Sequence, residues 1–155
     1  MKTIEITTHL DATPDEIWEE VNKPRLLFFV ARPLIRFKPV KPRNLPNSWH
    51  EEDYLFAMFW YGFLPLGRQT ISISRSTKGQ DARVLRDNGH SALIKRWDHL
   101  ILVQADGNGT RYTDRVEVEA GILTPLVAAF ARGFYAHRQR RLRILVDSCF
   151  DYAQN

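Results

Sequence analysis

Polar and apolar residues alternate from Ile4 to Leu10, with Ile4, Ile6, Thr8 and Leu10 on one side and Glu5, Thr7 and His9 on the other. That period of two predicts a half-buried strand. Thr13-Pro14-Asp15-Glu16 follows directly and supplies a hydroxyl cap, a proline at the first helical position and a glutamate placed to close a capping box. A helix is therefore predicted to about Val21, with Ile17, Trp18 and Val21 inward. Pro24 ends it, and the apolar run from Arg25 to Ala31 predicts a second short helix stopped by Pro33. Between Pro33 and Pro46, prolines at 33, 39, 42 and 46 alternate with Arg36, Lys38, Lys41 and Arg43, which reads as an extended surface connection.

From Trp49 onward strand-like patterns predominate, over roughly Trp49–Phe59, Leu66–Arg75, Ala82–Arg86, Leu93–Ala105 and Thr110–Ala120. Ser76-Thr77-Lys78-Gly79, Asp87-Asn88-Gly89 and Asp106-Gly107-Asn108-Gly109 carry the residue types that turns require, so the strands should form an antiparallel meander. Thr124-Pro125 repeats the helix-start signal. Beyond it Val127, Phe130, Ala131, Phe134, Leu142, Leu145 and Cys149 mark one stripe of a long helix reaching about Tyr152. The resulting class is α+β, with one domain over residues 1–155, a length that a single hydrophobic core can organise.

Composition narrows the field without naming a function. Hydrophobic residues make up 44% and charged residues 26%, which argues against disordered or fibrous classes. A single cysteine, Cys149, can form no internal disulfide, and the first ten residues lack a basic start and an apolar core; both point to a cytoplasmic location. The longest apolar run, Tyr54 to Leu66, is broken by Gly62 and Pro65 and is too short for a membrane span. The net charge of +4 is concentrated at Arg32–Arg43 and Arg138–Arg143, but zinc spacings and RNA-binding aromatic signatures are missing, which argues against a nucleic-acid partner.

The order strand, capped helix, short helix, meander and long C-terminal helix resembles the START-like or Bet v 1-like superfamily, also called SRPBCC and typified by polyketide cyclases and lipid-transfer domains. The resemblance covers nearly the whole chain. It rests most on Ala12-Thr13-Pro14-Asp15-Glu16-Ile17-Trp18, Trp97-Asp98-His99, Thr110-Arg111-Tyr112-Thr113-Asp114-Arg115-Val116 and Tyr135-Ala136-His137-Arg138. These segments look most like the bacterial ligand-binding members. The resemblance implies a helix-grip fold, in which a curved antiparallel sheet wraps a long C-terminal helix and leaves an internal cavity. The basic, proline-rich segment 33–46 departs from it.

Candidate chemistry follows from register. Pairing Ala105 with Thr110 across the glycine-rich turn sets Val103 opposite Tyr112, Ile101 opposite Asp114 and His99 opposite Val116. One face then carries Trp97, His99, Ile101, Val103, Tyr112, Asp114, Val116 and Val118, and the charged alternation Arg111, Arg115, Glu117 and Glu119 turns that face inward. An inward Asp114 needs donors. His99 lies diagonally within reach, and Arg138 sits on the apolar stripe between Phe134 and Leu142, where a charge requires a partner or a ligand. Two readings stand side by side: a polar cluster on a cavity wall, or an Asp114–Arg138 pair pinning helix to sheet with His99 as a core histidine.

Phosphate loops, dinucleotide fingerprints, nucleophile elbows and metal-ligand spacings do not occur in the sequence, so no cofactor or metal is expected. The leading expectation is a pocket for a lipid, isoprenoid or aromatic metabolite, with Trp97, Ile101, Val116, Phe130 and Phe134 as apolar lining and His99, Asp114 and Arg138 at its polar end. Alternatives are a cyclase or dehydratase using His99 and Asp114 for proton transfer, and a regulatory interaction module. Both faces of the Trp49–Phe59 strand are apolar, so its outward set needs covering by the short helices or by a second copy of the chain in a homodimer.

Overall fold

The computed structural model describes residues 1–79 and 81–154. The element order is β1 (Lys2–Leu10), α1 (Pro14–Val21), α2 (Pro24–Ala31), β2 (Ile35–Lys41), β3 (Asp53–Trp60), β4 (Leu64–Lys78), β5 (Ala82–Ser91), β6 (Arg96–Asp106), β7 (Gly109–Glu119) and, after one short turn of 3-10 helix, α3 (Thr124–Asp147). Seven strands form one sheet in the order β1-β7-β6-β5-β4-β3-β2, every neighbouring pair antiparallel. Helix α3 lies across its concave side against β1 and β7, while α2 packs on α3. This is a helix-grip α+β fold with two short helices after the first strand.

The start of α1 is built as its sequence requires. Thr13 Oγ1 accepts the Glu16 amide at 3.3 Å, and Glu16 Oε2 accepts the Thr13 amide at 2.8 Å, which closes the capping box. Pro24 belongs to α2 as a first-turn residue, where its missing N–H costs no hydrogen bond.

Three expectations need correction. Segment 33–46 is not only a connection, because Ile35–Lys41 is the edge strand β2. An edge strand needs partners on one side alone, so it tolerates Pro39 beside a register shift between Pro39 and Lys41. Asp87-Asn88-Gly89 is not a turn but the interior of β5. There the Asp87 carboxylate accepts the Ser72 amide at 3.1 Å where the β4–β5 pairing lapses, and a Cβ on Gly89 would lie 2.5 Å from the Thr70 carbonyl oxygen. The reversal comes later, across Ala92–Lys95.

The third correction concerns α3, which ends at Asp147. Cys149 lies beyond it, exposed and at φ 55°, so it is not on the buried stripe. The inward face runs through Ala128, Ala131, Phe134, Tyr135, Arg138, Gln139, Leu142, Leu145 and Val146, rotated from the expected stripe so that Val127 is half-buried and Phe130 is 39% exposed. Thr124 is the first residue of the helix and not its cap. Its hydroxyl accepts the Ala120 amide and donates to the Gly121 carbonyl.

The register of β6 on β7 sets Val103 opposite Tyr112, Ile101 opposite Asp114 and His99 opposite Val116, and all of these side chains are buried. On β3, Tyr54 and Phe56 face inward and are fully buried, whereas Leu55, Ala57 and Phe59 on the other side are half-buried. Arg36 and Lys38 of β2 stand directly opposite Phe59 and Ala57, where their alkyl stems can lie over these apolar side chains and keep their charges in water.

Candidate functional site

Two polar arrangements occupy the space between α3 and the sheet, and they differ in whether the protein satisfies them. The first centres on Asp114 of β7, which is 1% exposed. Its carboxylate accepts His99 Nε2 at 2.7 Å, the Gln139 amide nitrogen at 3.0 Å and the Tyr112 hydroxyl at 3.3 Å. Burial pushes the Asp114 pKa up, but the His99 and Gln139 bonds and the Arg138 charge outweigh it and hold the group below the usual carboxylate range. Burial drives His99 the other way, below the ordinary histidine value, despite the carboxylate beside it. The pair is thus a neutral imidazole donating to a carboxylate. Gln139 also donates to the Ile6 carbonyl at 2.7 Å, so this node joins β1, β6, β7 and α3.

The second arrangement is the inner end of a cavity of about 480 Å³. Its walls come from β2 and β3 (Ile35, Phe37, Met58, Trp60), from β4 (Leu64, Leu66, Ile71), from the β5–β6 loop (Leu93, Ile94) and from α3 (Phe130, Phe134). Leu64, Leu66, Leu93 and Phe130 are the exposed members, so the mouth lies between the β3–β4 hairpin, the β5–β6 loop and the first turns of α3. The inner end holds Trp97, Tyr135, Arg138 and Asp87. Trp97 Nε1 donates to the Tyr135 hydroxyl at 3.1 Å and ties β6 to α3.

Arg138 is 8% exposed, and no side chain or carbonyl among the described residues accepts a hydrogen bond from it; its buried Nε has no partner. Its guanidinium carbon lies 4.9 Å from the Tyr135 ring centroid and 5.8 Å from that of Phe134. Burial works against its charge, but Tyr135, Asp114, Tyr112 and Asp87 raise its pKa, so it stays a cation. Burial pushes the Asp87 carboxyl up to about 8, against the Ser72 amide and the Arg138 charge, which pull it down.

Of the residues singled out in the sequence, Trp97, Phe130, Phe134 and Arg138 line this cavity. Ile101 and Val116 are buried in the core outside the lining, and so are His99 and Asp114, sealed behind Tyr112, Tyr135 and Gln139. The expected Asp114–Arg138 ion pair does not form, because Gln139, one residue further along the helix, takes the carboxylate. Asp87 was hidden by turn-like neighbours, and β2 by its prolines. Tyr135 and Gln139 follow from a helix rotation that periodicity alone leaves free by one position. Among the described residues no group of three His, Cys, Asp or Glu side chains is placed to hold a metal, and no helix is long and apolar enough to cross a membrane.

Residues 8–145 match the family model described as "Domain of unknown function (DUF8410)". The chain belongs to this family. Solved structures place the family member's architecture among START-like folds. A START superfamily protein from Mycobacterium smegmatis shares 11% identity, covers 95% of this chain and 98% of its own, and superposes with a TM-score of 0.61. The Aha1 dimer from Colwellia psychrerythraea shares 10% identity over 94% of this chain and 96% of its own, with a TM-score of 0.60. DynU16, from the dynemicin biosynthetic locus, shares 12% identity and a TM-score of 0.57; the match takes in 95% of this chain and 48% of that longer one. No curated protein matches the sequence. Identities this low carry the fold, START-like and Bet v 1-like, and leave function to the site itself.

Proposed function

We propose that residues 1–155 form one binding unit that takes an apolar small molecule, such as a lipid, isoprenoid or aromatic metabolite, between α3 and the sheet. The observation behind this reading is the cavity of about 480 Å³, lined mainly by apolar side chains, with Gln69 of β4 and Ser91 of β5 on its wall and its two charged groups, Arg138 and Asp87, together at its inner end. That size falls within the roughly 300–1,000 Å³ of small-molecule pockets, and a few convergent polar groups in an otherwise apolar lining are what orientation of such a ligand needs. Filling the void would bury the exposed faces of Phe130, Leu64, Leu66 and Leu93 at about 25 cal/mol per Å² of apolar surface.

A proton-transfer role for His99 and Asp114 has less support. Both lie outside the cavity lining, and the carboxylate's bonds are taken up by His99, Tyr112 and Gln139. The test of the binding reading is native mass spectrometry of freshly purified protein, supplemented by Trp fluorescence during titration with apolar probes, since Trp60 and Trp97 line the cavity. The expected result is a stoichiometric adduct or a saturable change in emission. Protein that stays bare in the spectrometer and is silent to apolar probes would refute it.

A further inference from the structure

Resting on that reading, we infer that the ligand is an amphipathic carboxylic acid, bound with its carboxylate against Arg138 at the inner end and its apolar body directed toward the mouth. Three features of the cavity carry this. Arg138 is a buried cation on the cavity wall with no acceptor among the described residues, and its Nε is orphaned. Buried charges are ordinarily paired, and a guanidinium offers planar, forked donors that match a carboxylate. Both charged groups of the lining lie at one end and exposed leucines and Phe130 surround the other, with Gln69 and Ser91 as uncharged polar members of the wall, so a molecule with one charged head and a largely apolar body is complementary along its length.

The third feature separates a monoanion from a more highly charged head. Among the described residues Arg138 is the only basic one in the lining, and the acidic one, Asp87, sits at the same end with one oxygen already accepting the Ser72 amide. A dianionic phosphate would set two charges against one guanidinium and crowd the Asp87 carboxyl. A carboxylate brings one, and a protonated Asp87, which the raised pKa favours at neutral pH, can donate its hydroxyl to it. Asp114 acts on Arg138 through its charge alone and does not take its donors, since its oxygens are engaged by His99, Tyr112 and Gln139.

The experiment compares decanoate with decanol, and naphthylacetate with naphthylethanol, by calorimetric titration of the delipidated full chain at neutral pH. Each acid should bind about ten- to a hundredfold more tightly than its alcohol, the range expected for charge-assisted hydrogen bonds in a buried site. Arg138→Met should erase that preference by weakening the acids and leaving the alcohols unchanged, and Arg138→Lys, which keeps charge without the fork, should retain part of it. If the methionine variant does not fold, the comparison in the unaltered chain and the lysine variant decide. Alcohols that bind as well as acids would overturn the carboxylate assignment while the cavity reading stands. Failure of all four probes would overturn both.

Discussion

Removal of the Asp114 side chain probes whether one buried node fastens α3 to the sheet. In Asp114→Ala, His99 Nε2 at 2.7 Å and the Gln139 amide at 3.0 Å lose their acceptor, and the Tyr112 hydroxyl at 3.3 Å loses a weaker one. A buried donor left without a partner costs about 1–3 kcal/mol, and two of these contacts are short enough to count in full. Gln139 keeps its bond to the Ile6 carbonyl, which limits its share. Relief from burying a carboxylate acts in the opposite direction, while the small void left behind adds to the loss. The expected net effect is a destabilisation of about 3–5 kcal/mol, read as a lower midpoint in urea with unchanged slope. Asp114→Asn keeps one carbonyl acceptor and should cost less than the alanine variant. A loss below about 1 kcal/mol in Asp114→Ala, or equal losses in both variants, would refute the reasoning, because the donors would then have found replacement partners without the carboxylate.

Two further measurements address the cavity itself. Phe134→Ala should cost about 1–3 kcal/mol, less than the 2–5 kcal/mol typical for truncating a fully enclosed leucine such as Leu145, because one side of Phe134 already faces the void and has few contacts to lose; urea unfolding of the two variants compares them directly. The Asp87 carboxyl has a folded pKa of about 8, above its unfolded value of 3.8, so the folded state holds the extra proton and stability must fall as pH rises through that interval. Between about pH 7.5 and 8.5, where unfolded histidine has largely lost its charge, the decline should run from about 1 down to about 0.3 kcal/mol per pH unit and vanish in Asp87→Asn. The groups acting on Asp87 there are Arg138 from α3, Asp98 from β6 and the Ser72 amide; stability that is flat in this range would remove the half-buried Asp87 carboxyl from the account.

Local chemistry made much of the fold legible. The capping box at Thr13-Pro14-Asp15-Glu16 gives the start of α1, and the glycine-rich turn at 106–109 sets the β6–β7 register that turns His99 and Asp114 inward. Where local signals were ambiguous, tertiary context decided. Ile35, Phe37 and the basic residues between them alternate as a strand does, but the prolines around them conceal it until the sheet supplies an edge position that tolerates Pro39. Asp87-Asn88-Gly89 has turn composition because the strand is distorted there: the aspartate side chain substitutes for a ladder bond, and only glycine fits beneath the Thr70 carbonyl. The cavity had no local signal, since it is the space left by Ile35, Met58, Trp60, Phe134 and others from seven separate elements and the β5–β6 loop.

The same comparison separates the two charged groups that the helix and strand patterns flagged together. Asp114 and Arg138 both occupy positions where an apolar side chain would be less costly, and a sequence cannot tell which is there for the fold and which for a ligand. Asp114 is satisfied by three partners from β6, β7 and α3, so its burial is explained by what it holds together. Arg138 makes no hydrogen bond among the described residues and lies on the faces of Tyr135 and Phe134, an attraction of roughly 0.5–2 kcal/mol that, with the charge of Asp114 beyond hydrogen-bond reach, is set against a desolvation cost of several. A buried cation with no hydrogen-bonded acceptor lowers the stability of the empty protein, and a carboxylate that enters the cavity returns part of the difference. A ligand that supplies it should therefore raise the unfolding midpoint in proportion to the logarithm of its concentration above the dissociation constant, which links the apparent defect in the core to the function proposed for it.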